Sequence, residues 1–197
     1  MVVTEAPARR EDIDRILAEV TTYASRRKHP ALAVLVGLPA SGKSRVAEEL
    51  QARTGAVVLE SDALRRLLFS RRTYSAAESG RLFAAVHGAI EELLADGVSV
   101  VLDATNVAES ERAPLCEMAE RLGARLVLVQ VTAPAALIRR RLGRREGTRG
   151  GHSEADARVY ERMRSRVEEI QRPHHVVDTS EDIRPLIAAI AKEMIGT

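Results

Sequence analysis

ALAVLVGLPASGKS, residues Ala31–Ser44, is the stretch on which the fold turns. Ala31–Val36 is an unbroken apolar run between Pro30 and Gly37, the pattern of a strand buried on both faces. Gly37-Leu-Pro-Ala-Ser-Gly42-Lys43-Ser44 then matches G-x-x-x-x-G-K-[ST] at every fixed position. The glycines let the chain turn back so that successive amide N–H groups line a concavity and an anion can come close. A helix opening at Lys43 would present its N-terminus to that anion. The chemistry is that of a nucleoside-triphosphate cradle. Gly37, Pro39, Ala40, Ser41, Gly42, Lys43, Ser44 and Arg45 are its expected lining. Lys43 is placed to reach the β- and γ-phosphates, and the Ser44 hydroxyl to ligate Mg²⁺.

Working outward, apolar runs alternate with helical patterns along the chain. Strands are expected at Ala56–Leu59, Val98–Leu102, Arg125–Val131 and Val176–Val177. Helices are expected from Ser61 or Asp62 to Phe69, and over Ala76–Ala95, Glu109–Leu122, Pro134–Leu142, Glu154–Ile170 and Ile183–Met194. Such alternation predicts an α/β fold with a parallel sheet and helices on both faces. Ahead of it, Ile13, Ile16, Leu17, Val20 and Ala24 recur at helical spacing, predicting an amphipathic helix over Glu11–Lys28. Two readings apply to it, a packing helix on the sheet or a docking surface for a partner. The chain is expected to divide into an N-terminal extension with its helix (1–29) and a main domain (30–197).

Composition bounds the rest. The chain has 197 residues, 45% hydrophobic and 29% charged, which suits one soluble α/β domain. Cys116 is the single cysteine, so neither an internal disulfide nor a zinc site of several thiolates is available. No run approaches the ~20 apolar residues of a membrane helix. MVVTEAPARREDID lacks the apolar core of a signal peptide, so a cytoplasmic location is expected. The net charge of +2 is too small to argue for nucleic-acid binding by the whole molecule.

Four further features carry chemistry. Asp103 ends an expected strand, where a carboxylate facing the phosphate loop can hold Mg²⁺ directly or through water. Asp62 and Arg65 follow the second strand, three apart on a helix. Asp62 could accept the proton of an attacking hydroxyl, and Arg65 could hold an anionic part of an acceptor or the transferring phosphoryl. Arg139, Arg140, Arg141, Arg144, Arg145 and Arg149 crowd one stretch with a Gly-rich tail. It reads as a lid over the triphosphate at about 139–155, with a solvated or nucleic-acid-binding face as the other reading. Arg141 and Arg144 are the first candidates within it, then Arg145. No [NT]-K-x-D is present for guanine. Ala104 follows Asp103 where a water-activating glutamate would favour hydrolysis, so transfer is expected instead.

GLPASGKS, LESDALRRLL, VVLDATN, the arginine-rich segment, VYERM and HHVVDTS together resemble the bacterial P-loop kinases of the zeta-toxin-like or AAA_33 group, relatives of the 5′-hydroxyl polynucleotide kinases. The resemblance spans about residues 31–195. It implies a three-layer P-loop sandwich with a five-stranded parallel sheet and a lid, as in adenylate kinase. It implies Lys43 and Ser44 on ATP·Mg²⁺, Asp62 as general base and Arg65 on an acceptor phosphate. Asp103 would lie near the metal and acceptor, Asn106 would orient the site, and lid arginines would clamp the donor. The function so implied is ATP-dependent phosphate transfer to a hydroxyl, either a 5′-OH polynucleotide end or a small sugar-like or antibiotic molecule. A module that binds ATP without turnover is the reading from a different class.

Overall fold

The structure, a computed structural model, describes residues 9–20, 25–146 and 160–196. The order of elements is α1 (Arg10–Val20), β1 (Ala31–Val36), α2 (Lys43–Thr54), β2 (Val57–Glu60), α3 (Ser61–Leu68), α4 (Ala76–Ala95), β3 (Val100–Asp103), α5 (Glu109–Arg121), β4 (Arg125–Thr132), α6 (Ala135–Glu146), β5 (His175–Asp178) and α7 (Arg184–Ile195). The five strands form one sheet in the order β2-β3-β1-β4-β5, with every pairing parallel.

β1 is central, and all six of its residues are buried. Its side chains divide by the two-residue period of a strand. Leu32, Val34 and Val36 join a core with residues of α1, α3, α4 and α5. Ala31, Ala33 and Leu35 join a second core with α2 and α7. This is the three-layer arrangement expected of the alternating pattern. A third, smaller cluster packs Ala40 of the phosphate loop against Ile138 and Leu142 of α6 and against Tyr160.

The N-terminal helix packs as part of this body. Ile13 and Ile16 are buried in the first core, and Asp12 makes a two-pronged ion pair with Arg81 of α4 at 2.7 and 2.8 Å. Gly88 makes room for it, since a Cβ there would lie 2.5 Å from Ile13 Cδ1. The expected continuation to Lys28 is not helical over residues 25–28. Arg26 instead bridges antiparallel to Val98, and the Arg27 N–H donates to Gly97 O at 2.7 Å. Pro30 favours an extended approach to β1.

The same contact moves the third strand, which begins at Val100 and not at Val98. Val98 and Gly97 close a Schellman cap on α4, with Val98 N donating to Leu93 O and Gly97 N to Leu94 O, and Gly97 at φ +79°. The helix expected through Ile170 runs only over 160–164 among the described residues. The chain beyond it leaves the helix to meet Val107 and Arg112.

Candidate active site

The phosphate loop lies between the end of β1 and the start of α2, at the C-terminal edge of the sheet. Two residues carry the turn in the left-handed region, Ala40 at φ +62° and Gly42 at φ +106°. Gly37 is required by space: a Cβ would stand 2.4 Å from Val131 O and 2.9 Å from Ser41 Oγ. Ser41 Oγ is buried without a partner. Lys43 is buried and turns its Nζ back onto Gly37 O (2.9 Å) and Leu38 O (3.0 Å). Ser44 and Arg45 are exposed in the first turn of α2. With the chain turned at Ala40 and Gly42 ahead of α2 and the Lys43 ammonium held against it, the loop offers a donor set that fits a polyphosphate.

Asp103 ends β3 beside it. Its Cα partners are Leu35 on β1 and Glu60 on β2. By strand alternation Asp103, Glu60 and Leu35 share the face that α2 covers, since Val101 and Leu35 belong to the core on that side. Asp103 is therefore on the face of Lys43 and Ser44. Glu60, half-buried, is a further candidate beside Asp103 that the sequence pattern did not single out. Its signal was present, because LESD puts a carboxylate at the tip of the second strand. No cluster of three His, Cys, Asp or Glu side chains suited to a metal occurs among the described residues. A Mg²⁺ ion commonly uses one or two carboxylates with waters and substrate phosphates, so Asp103, Glu60 and the Ser44 hydroxyl remain a suitable set.

The segment after Asp103 is fastened to the loop. Gly37 N donates to Thr105 O at 2.9 Å, and buried Asn106, at φ +47°, donates from Nδ2 to Leu35 O at 2.8 Å. Arg112, which sequence reading also missed, is 1% exposed. It donates to the carbonyls of Asn106, Val107, Glu168 and Glu169 and pairs with Glu109.

Asp62 is exposed in the first turn of α3. Arg65 departs from expectation. It is buried, its Nη1 pairs with Glu78 of α4 at 2.5 Å, its Nη2 donates to Ser79, and the Tyr74 ring lies 4.8 Å from its guanidinium carbon. Its spacing to Asp62 does not bring the two side chains to one surface, because the α3–α4 packing takes the arginine inward. The Thr73 N–H, helped by Arg65 and the Thr73 hydroxyl, overcomes burial and draws the Glu78 carboxyl down to about 2.

Arg141 also differs from a lid side chain reaching over the loop. It lies along the back of the loop, donating from Nη1 to Ala40 O, Ser41 O and Thr179 Oγ1 and from Nη2 to Thr179 O. Arg144 and Arg145 fall in the last turn of α6, and their side chains lie outside the described residues. So does most of the segment expected as a lid. The histidines hold plain positions: His175 Nε2 meets Glu193, His174 Nδ1 meets Arg172 O, and the His87 ring tilts against Phe83.

The sequence profile of AAA_33, described as an AAA domain, matches residues 32–170, more than half of the chain. The chain belongs to this family. No curated protein matches it. Solved structures share its fold at low identity. A putative kinase from Chloroflexus aurantiacus superposes with a TM-score of 0.68 at 19% identity, covering 84% of this chain and 99% of that one. The APS kinase CysC of Mycobacterium tuberculosis, in complex with AMPPNP and APS, gives 0.62 at 21%, covering 87% and 100%. A chain of the Pnkp1/Rnl/Hen1 RNA repair complex gives 0.59 at 22%, covering 72% of this chain and 46% of that one. These structures share the overall fold of this chain. Among the described residues of this family member, no helix is long and apolar enough to cross a membrane.

Proposed function

We propose that the protein is an ATP-dependent phosphotransferase that moves the γ-phosphate to a hydroxyl. The observation that carries this reading is the juxtaposition of the GLPASGKS hollow with the carboxylates of Asp103 and Glu60 on the same face of the sheet. Lys43 leaves its loop carbonyls for the β- and γ-phosphates as they enter. Asp103, Glu60 and Ser44 would hold Mg²⁺, which when bound offsets charge on the phosphate oxygens. The acceptor oxygen attacks the γ-phosphorus, the bond to the β–γ bridging oxygen breaks, and ADP leaves with that electron pair. The acceptor proton passes to Asp62, the carboxylate exposed at the start of α3.

Two classes of acceptor suit this surface. Arg66, Arg71, Arg72 and Tyr74 are exposed on and after α3, which supports a 5′-OH polynucleotide end. Arg65, the residue expected on an acceptor phosphate, is closed against Glu78, which supports a small hydroxyl compound without that phosphate.

The test is transfer from γ-labelled ATP with Mg²⁺ to 5′-OH oligonucleotides and, separately, to a pool of polyols and sugars. The reading expects label in one arm and its loss in Asp62→Ala with ATP binding retained. Label in neither arm, with ATP bound, would leave a nucleotide-binding module without transfer.

A further inference from the structure

The loop after β5 and helix α6 meet behind the phosphate loop, at Thr179. Thr179 is 4% exposed. Its N–H donates to Thr132 O at 2.9 Å, which fixes it at the tips of β4 and β5. Its hydroxyl donates to Ser41 O at 2.5 Å and accepts from Arg141 Nη1 at 2.8 Å. Arg141 Nη1 also reaches Ser41 O at 3.0 Å, so the Ser41 carbonyl is engaged twice from the outer side of the loop. The Thr179 methyl backs Gly42, where an added Cβ would come within 2.8 Å of Cγ2.

A trans peptide directs its C=O and N–H to opposite sides of one plane. With the Ser41 carbonyl drawn outward, the Gly42 N–H of the same peptide faces the hollow. Gly42 caps the start of α2, so this is one of the amides a phosphate would meet first. No helical partner exists for it, and its direction is set from behind.

We propose that Thr179, with Arg141, is a positioning device for the triphosphate site: the pair holds the Ser41–Gly42 peptide in its phosphate-binding orientation and ties α6 to that peptide. The proposal rests on the ATP-binding part of the function given above. Arg141 then acts through the loop backbone and not as a side chain on the phosphates. Coupling follows from the same contacts, since α6 also packs Ile138 and Leu142 on Ala40.

The test uses the full chain, a fluorescent ATP analogue (mant-ATP) with Mg²⁺, and thermal unfolding without nucleotide. Thr179→Val keeps the shape and removes the hydroxyl. It should weaken mant-ATP binding about tenfold, the scale of one charge-assisted hydrogen bond. Thr179→Ser should stay within about threefold, because the donor and acceptor remain. Arg141→Met should weaken binding, and Thr179→Val/Arg141→Met should fall short of the product of the single effects, since both act on one peptide.

Equal loss in Thr179→Val and Thr179→Ser would overturn the proposal in favour of simple packing. Wild-type affinity in Thr179→Val would overturn it as well, and so would fully multiplicative effects in the double variant. Binding is read without transfer, so a wild type that binds mant-ATP and phosphorylates nothing sinks the kinase reading alone.

Discussion

Glu60 and Asp103 are register partners across the β2–β3 ladder, at the end of the sheet where the phosphate loop turns. Parallel partners point to one face, so two carboxylates stand together beside Lys43 and Ser44. Under the proposed function, divalent-ion binding at that face would depend on their summed charge.

Asp103→Asn should therefore lower phosphate transfer on the order of a hundredfold, with a raised Mg²⁺ requirement. Glu60→Gln should act in the same direction and less strongly, because Glu60 is half-buried and at the sheet's outer strand. Mg²⁺ titrations of initial rate check both. An unchanged Mg²⁺ dependence in Asp103→Asn would remove that residue from the metal set.

Gly37→Ala places a methyl 2.4 Å from Val131 O, a backbone atom of a buried strand that cannot step aside. A loss of about 1–3 kcal/mol in unfolding free energy is expected, with ATP affinity reduced as the loop shifts. Denaturant unfolding and mant-ATP binding measure the two separately.

Acid should act on the α3–α4 junction. The Glu78 carboxyl is held at about 2 in the folded protein, chiefly by the Thr73 N–H. An unfolded glutamate titrates near ~4.3. A depressed carboxyl contributes stability that is present above the unfolded value and is lost as pH falls toward the folded one. Melting temperature should thus drop between about pH 4.3 and 2, the lower bound being the folded value. Glu78→Gln should be less stable than wild type at pH 7 and should show a shallower fall over that window.

Arg112→Met removes a buried guanidinium that holds the carbonyls of Asn106, Val107, Glu168 and Glu169. Glu168 and Glu169 are exposed and Val107 O keeps the Glu168 N–H, so the buried Asn106 carbonyl is the acceptor left without a donor, and a loss of about 1–3 kcal/mol is expected. Since Asn106 anchors the Asp103 segment to Leu35 O, transfer should fall even in the folded fraction. Chemical denaturation with activity normalised to folded protein checks this.

Much of the architecture was present in local sequence. An unbroken run such as Ala31–Val36, short and bounded by Pro30 and Gly37, suits a central strand of a covered parallel sheet better than a buried helix. GLPASGKS names its own conformation, because Gly42 at φ +106° and the 2.4 Å space at Gly37 each admit little else. The placement of Lys43 and Ser44 at the start of α2 and of Asp103 at the end of β3 is also a local property.

What local pattern leaves open is where a long side chain goes once elements pack. Arg65 and Arg141 read alike as spare cations near an anion site, yet Glu78 claims one and the carbonyls of Ala40, Ser41 and Thr179 the other. Their partners lie on other elements, up to 101 positions away in the chain. Glu60 needed the β2–β3 register before it stood beside Asp103, and Arg112 needed the return of residues 168–169 to reveal its acceptors. By itself the sequence determined a covered parallel sheet with a phosphate loop at its edge. Only the tertiary structure decided which partners Arg65 and Arg141 meet, because a guanidinium's place is set by the buried acceptors packed around it.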